Sequence, residues 1–422
     1  MHLLLPFALG LGLLSAASLP MRAAVTQIYP PTSSCFVFSP ANWATHSLHD
    51  GVKARQSWNA GAYFRVTFKT ETPAVTIALH LGVKQYGAWN GTNWSLLNPI
   101  PAISYSLDGL ITDDVPADGP THDGILSISV PTPGSHTLTV WLRNSEQLHR
   151  WVRGGTGSNV LQVNGISFGE GAVPLAGKRQ SHWVLIVGDS ITEGIQADNG
   201  RDNVLYDYSW LDAQALFARG YETAISACGY SGWVCTGCAD GDVPGYYVVN
   251  KGSGGKWVYD DGASRWNKID GVTSLLDSQG RMSGYGGRNQ QPSVIFFNYG
   301  TNETLSRAVT ARMAASIEQC LPALRKAAPN AEILVAVPFG IESTRVYGSE
   351  GLLYAAALRR AVRNYLKQHP DDRRTHLVDL GANVANALAS PIYGAGIHPN
   401  MAGHAFLAPL VLQVIEQFLP TK

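Results

Sequence analysis

The chain has no net charge. Lys plus Arg and Asp plus Glu each number 31 in 422 residues, and no basic run breaks the balance. That excludes a general nucleic-acid binder, which needs a dense positive field against phosphate. No G-x-x-x-x-G-K phosphate loop and no H-E-x-x-H zinc helix occurs, so no metal or other cofactor is implied. Charged residues are only 15% of the chain while hydrophobic ones are 45%, which excludes a disordered chain and allows large cores. No internal repeat of 20–50 residues is present, so a solenoid is excluded. Beyond the N-terminal segment, no apolar run is long enough to cross a bilayer.

Leu3 to Ala17 is apolar and is followed by small residues, the pattern of a secretory signal peptide ending near residue 23. Its first residues lack Lys and Arg, and an uncleaved anchor is the competing reading. The expectation is an exported protein, secreted or periplasmic, free of the membrane once the segment is removed. Cysteines are few: Cys35, Cys228, Cys235, Cys238 and Cys320. Cys235-Thr236-Gly237-Cys238 is a C-x-x-C with Cys228 close by, but the stretch offers no histidine at zinc-ligand spacing. In an oxidising compartment a local disulfide is favoured, its pairing open, and the odd count leaves at least one free thiol.

From residue 24 to 171 the chain alternates apolar and polar residues in short segments. Examples are Tyr63–Phe68, Val75–Leu79, Ile125–Val130 and His136–Leu142, punctuated by Asp108-Gly109 and Pro133-Gly134. Period-2 alternation between turn residues predicts antiparallel strands, and this many predict a β-sandwich of jelly-roll type. Residues 172–180 read as a linker. From 181 to 422 strands alternate with helices, expected near Ser209–Arg219, Ser306–Ala328, Gly351–Gln368 and Ala402–Phe418. Five such strands predict a parallel sheet covered on both faces. A Gly- and aromatic-rich insertion, Trp233 to about Arg288, is too long for an idle connection. Its Trp233, Trp257 and Trp266 are candidates for a substrate-binding wall of the cleft, together with Tyr246, Tyr247 and Tyr259. The alternative is that these rings pack the loop onto the sheet.

The chemistry-bearing residues follow the expected strands. Trp183–Val187 reads as a buried strand, and Gly188-Asp189-Ser190-Ile191 comes directly after it. Ser190 is the candidate nucleophile; the competing reading is that Asp189 and Ser190 only cap a helix. Gly232 follows the second strand, Gly300-Thr301-Asn302-Glu303 the third and His398-Pro399-Asn400 the fifth. Carboxyl ends of a parallel sheet converge on one edge, so a serine, a base and oxyanion donors can meet there.

Together these four blocks resemble the SGNH (GDSL-type) hydrolases over about residues 182–420. The resemblance implies a flavodoxin-like α/β/α fold and hydrolysis of acyl esters. It implies Ser190 as nucleophile, His398 as general base, and Ser190 N–H, Gly232 and Asn302 as the oxyanion hole. Asp189, Glu193 and Glu303 are expected to support it. One position departs: the aspartate usual three residues before the histidine is Ala395 here. Three readings stand. A backbone carbonyl orients His398; or a carboxylate elsewhere does, Glu303 or Asp379 being nearest by block position; or catalysis is weakened. Asp379, inside the apolar run Leu377–Leu380, reads better as a structural strand-end residue. A β-sandwich ahead of an SGNH domain is further similar to the carbohydrate esterase family 2 acetyl esterases. That implies an O-acetylated carbohydrate as partner, with Trp43, Trp58, Trp89 and Trp94 of the sandwich able to stack on sugars, while for Trp141 and Trp151 a core position is an equal alternative. An O-acetyltransferase and a glycan-binding protein with a weakened site are the rival readings.

Overall fold

The computed structural model describes residues 27–47, 51, 53–82, 88–89, 94–95, 101–116, 124–151, 159–285, 290–305, 307–394 and 396–420. The expected leader, residue 395 and the side chains of Trp89 and Trp94 lie outside the described residues.

The N-terminal half is a β-sandwich. One sheet runs in the order Ile125–Val130, Val75–Leu81, Leu161–Phe168, Lys53–Ser57, Ala44–Ser47, with Ile28–Tyr29 pairing to Leu161–Phe168. The other runs Leu110–Pro116, Ala102–Leu107, Gly134–Asn144, Tyr63–Thr70, Ala172–Leu175, with Phe36–Phe38 pairing to Tyr63–Thr70. The alternation explains the layering: Leu126, Ile128 and Val130 point inward while Ile125, Ser127 and Ser129 stay exposed. Inward residues of both sheets, among them Phe64, Phe68, Ile77, Leu79, Val140 and Val163, make one dry core. The expected linker begins inside this domain. Ala172–Leu175 pairs with Tyr63–Thr70, because alternating side chains let one more strand close that sheet edge. Trp43 and Trp58 are also corrected: both are buried, Trp43 among Phe38 and Phe64, Trp58 against Trp151, so neither offers a face to a sugar.

The C-terminal half is a parallel sheet whose elements we number β1 (His182–Gly188), β2 (Tyr221–Ala227), β3 (Val294–Asn298), β4 (Glu332–Ala336) and β5 (Thr375–Val378). Its order is β2-β1-β3-β4-β5, the flavodoxin-like arrangement, with every pairing parallel. The apolar run of β1 is continuous because both faces are covered. Trp183, Leu185 and Val187 pack with α3 (Arg307–Ala327) and α4 (Thr344–Gln368). Val184 and Ile186 pack with α2 (Tyr208–Ala218) and α6 (Met401–Glu416). Two short helices were not expected from hydrophobic periodicity: α1 (Ser190–Glu193) and α5 (Gly381–Leu388). Helix α5 occupies what reads in sequence as a loop, since eight residues carry too few turns to show a 3.6 period.

The insertion folds back on the sheet. Trp233 and Trp266 are buried in the same cluster as Trp183 and Phe297. Trp257 sits half-buried on a hairpin (Val249–Lys251 with Trp257–Tyr259), and Lys251 Nζ lies 5.4 Å from its ring centre. The rings therefore anchor the loop, and Trp233 and Trp266 are withdrawn as a substrate-binding wall because no open face remains.

Candidate active site

Gly188 ends β1 because nothing larger fits. A Cβ there would lie 2.0 Å from Thr192 Oγ1, and that hydroxyl is itself hydrogen-bonded to Tyr208 Oη at 2.8 Å. Asp189 then leaves the sheet in extended conformation and caps α1, its Oδ1 accepting from Ile191 N–H at 3.0 Å. Of this stretch Asp189 alone is the cap, and Ser190 is the first helical residue. The fully buried Asp189 carboxyl is pushed up to about 7, chiefly by loss of water, against the lowering effect of the Ile191 N–H bond.

Ser190 Oγ lies 2.9 Å from His398 Nε2, across 208 positions of sequence. The backbone around His398 is held by its neighbours in the chain. Asn400 caps α6 through Gly403 N–H (2.9 Å) and ties back to the preceding turn, its N–H donating to Tyr393 O and its Nδ2 to Ile392 O, both at 3.0 Å. Gly394 passes under His398 with φ +133, and a Cβ there would lie 2.6 Å from His398 O. Burial lowers the His398 pKa below its ordinary value, and the Asp202 carboxylate opposes that shift. A base that stays neutral can accept a proton from Ser190 at neutral pH.

Neither alternative carboxylate serves His398. Asp379 Oδ1 accepts from Gly381 N–H at 3.0 Å, and the carboxylate pairs with Arg359 at 2.7 Å. Glu303 is buried beneath the loop after β2, accepting from Val234 N–H at 3.0 Å and Cys235 N–H at 3.4 Å. Its pKa is raised by burial despite those donors. This carboxylate gives Gly232 a different rationale from substrate approach: a Cβ at 232 would lie 1.9 Å from Glu303 Oε1. The Gly232 N–H donates to Cys235 O at 3.1 Å, so its use as an oxyanion donor requires that turn to shift. Asn302 spends one amide hydrogen on Ser231 O at 2.9 Å, which orients the other.

Two features escaped sequence reasoning. Arg150, from the sandwich, is completely buried against Glu193 of α1, and Glu193 Oε2 also accepts from Gly229 N–H (2.6 Å) and Gln147 Nε2 (3.0 Å). One carboxylate thereby joins the sandwich, the helix of Ser190 and the loop of Gly232. The other feature is Tyr230, 57% exposed with φ +64 at the head of that loop. An exposed aromatic held in a disfavoured conformation is the mark sequence cannot show. A groove of about 700 Å³, lined by Tyr63, Trp141 and Phe217, opens at the domain junction, and neither Ser190 nor His398 lines it.

Residues 186–406 match the GDSL-like lipase/acylhydrolase family model, 221 of 422 positions. The chain belongs to that family. This GDSL enzyme is an acyl-ester hydrolase in class, with the sandwich-plus-SGNH layout seen in carbohydrate esterase family 2. No protein among the curated sequences matches it. Among solved structures, it is similar to a family two carbohydrate esterase from Clostridium thermocellum in complex with cellohexaose (TM-score 0.58, 16% identity, 90% of this chain and 98% of that one). It is also similar to an acetyl xylan esterase from Butyrivibrio proteoclasticus (TM-score 0.56, 14% identity, 93% and 98%). A salicylyl-acyltransferase from a tetracycline biosynthetic pathway resembles it as well (TM-score 0.59, 13% identity, 95% and 100%). At these identities the likeness is one of fold across both domains.

Proposed function

We propose that this GDSL enzyme is an exported serine esterase that removes acyl groups, O-acetyl in particular, from carbohydrates. The observation that carries the reading is the 2.9 Å contact between Ser190 Oγ and His398 Nε2 at the carboxyl edge of the sheet. Ser190 Oγ attacks the ester carbonyl while His398 takes its proton, and the alkoxide leaves with that proton. The oxyanion is met by Ser190 N–H and the Asn302 amide, with Gly232 joining once released from Cys235 O. Water, deprotonated by His398, then frees the acyl-enzyme. The pair works as a dyad: Asn400 and Gly394 position the imidazole through its backbone.

The carbohydrate assignment is supported by the two-domain likeness to carbohydrate esterases. With Trp233 and Trp266 buried, Tyr230 is the ring beside the loop that is open to a sugar face. The test is acetate release from acetylated xylan, cellulose and glucomannan fragments, and hydrolysis of p-nitrophenyl acetate. We expect both activities, and Ser190→Ala lowers kcat at least 1,000-fold, on the order of magnitude lost when a nucleophile is removed. Unchanged turnover in Ser190→Ala sinks the proposal.

A second reading, acyl transfer to another acceptor, is favoured by the likeness to the salicylyl-acyltransferase. Product analysis with an acceptor glycan and water in competition separates the two: free acetate marks the hydrolase, acylated acceptor the transferase. Export is proposed from the N-terminal pattern and is checked by N-terminal sequencing of protein recovered outside the cytoplasm.

A further inference from the structure

Three thiols lie close in sequence, and the structure sorts them. Cys235 turns toward Asn302, its Sγ 3.5 Å from that residue's carbonyl oxygen. Cys35 lies in the sandwich core, and Cys320 lies on α3 in the core of the other domain. Cys228 and Cys238 face each other with their sulfurs 3.5 Å apart, in an apolar cluster made by Trp58, Trp151, Val160 and Val243. Their backbones are already drawn together, Cys238 N–H donating to Gly229 O at 2.9 Å. Gly237 leaves the room for this: a Cβ at 237 would lie 2.7 Å from Cys228 Sγ. Cys238 takes φ +65, a conformation disfavoured for any residue with a side chain, and in it the thiol points at its partner. Among the described residues no three His, Cys, Asp or Glu side chains group as a metal site.

We infer that Cys228 and Cys238 form a disulfide that clasps the base of the loop carrying Gly232. The segment between them holds Gly229, whose N–H binds Glu193, Ser231, whose carbonyl accepts from Asn302, and Gly232 itself. Joining its two ends restricts the loop that aligns the oxyanion donors. The sulfurs need to close from 3.5 Å to the bonding distance of about 2.05 Å, a small rotation of two side chains. The oxidant is a small-molecule disulfide such as oxidised glutathione. One cysteine thiolate attacks it, forming a mixed disulfide and releasing one glutathione thiolate. The second cysteine thiolate attacks the mixed disulfide at the protein sulfur and releases the other. Two protons leave the cysteines, and the two electrons end on two glutathione thiols. In the folded chain the Cys238 thiol is held well above the ordinary range by its bond to Cys228 and by burial. The bond therefore closes while the chain folds, before Trp58 and Trp151 cover the pair.

The experiment is refolding of the full chain in a glutathione redox buffer, alkylation after denaturation, and non-reducing peptide mapping. A Cys228–Cys238 cross-linked peptide is expected, and two of the five cysteines are joined so that three are alkylated. Cys235→Ser keeps the cross-link. The double variant Cys228→Ser/Cys238→Ser lacks it, melts about 3–8 °C lower than the oxidised protein and loses turnover on p-nitrophenyl acetate. Five alkylated cysteines, or a cross-link through Cys235, overturns the inference. The mass readout is independent of catalysis, so it stands or falls apart from the esterase reading.

Discussion

Two buried arginine–glutamate pairs cross from the sandwich to the α/β domain, and they sit at opposite ends of β2. At the amino end, Arg65 reaches Glu222, which also accepts from Tyr63 Oη and, at 3.1 Å, from Gln180 N–H. Beyond the carboxyl end, Arg150 reaches Glu193, which holds Gly229 and Gln147. Each carboxylate is fully buried or nearly so, and each is satisfied by several donors. Chemically they are twins. The difference is what else the carboxylate touches: Glu222 secures strand and domain, whereas Glu193 belongs to the helix of Ser190 and grips the loop of Gly232. A buried ion pair is weak evidence for net stability, but breaking one by removing a partner is costly. Location, then, decides whether the same interaction is architectural or also serves the site.

Alanine at either glutamate gives the largest expected effect. Glu222→Ala and Glu193→Ala each strand a buried arginine and lower stability by about 3–5 kcal/mol in denaturant melts. At a temperature where both variants remain folded, only Glu193→Ala reduces kcat on p-nitrophenyl acetate, by about 10- to 100-fold. Equal loss of kcat in the two variants breaks the comparison. Gly232→Ala sharpens it at the catalytic end. The added methyl meets Glu303 at 1.9 Å, so the loop is displaced, with a stability cost of about 1–3 kcal/mol and a fall in kcat rather than a rise in KM.

Next in size is the response to pH. A base whose pKa is lowered stays neutral further into acid, so the acidic limb of kcat/KM lies below the position of an unperturbed histidine. Asp202→Asn removes the carboxylate that opposes the shift and moves the limb further toward acid; movement toward alkali contradicts the assignment. Stability carries its own signature. Asp189 at about 7 when folded against 3.8 when unfolded binds a proton more tightly in the native state. Its contribution is present below pH 3.8 and is lost as pH rises through about 7. Asp189→Asn keeps the cap and removes that slope, seen by comparing melts at pH 5 and pH 8. The smallest effect is expected at Tyr230→Ala, a few-fold rise in KM for an acetylated oligosaccharide with little change for p-nitrophenyl acetate. A matching rise for both substrates argues against sugar stacking.

Much of the scaffold was legible because it is written locally. The alternation in Ile125–Val130 and the unbroken apolar run of β1 follow from which faces are covered, and each is visible within a few residues. The blocks around Ser190, Asn302 and His398 were legible for a related reason: each is a short turn after a strand, and parallel strands bring their carboxyl ends together. Short α5 and the strand Ala172–Leu175 were missed, since one has too few turns for a period and the other earns its pairing only from the sheet edge beside it.

What the sequence by itself determined is the set of local conformations: strand period, helix faces, and turns that demand glycine or a capping side chain. Tertiary structure alone decided the partners. Arg150 meets Glu193 across 43 positions and Ser190 meets His398 across 208. Of the aromatics proposed as platforms, Trp43, Trp58, Trp233 and Trp266 became core, while Tyr230, which the sequence did not single out, was left open. The physical reason is one of range. Backbone preference acts over a few residues, but desolvation depends on everything that arrives around a side chain, and burial is what sets its charge, its partner and its access to a substrate.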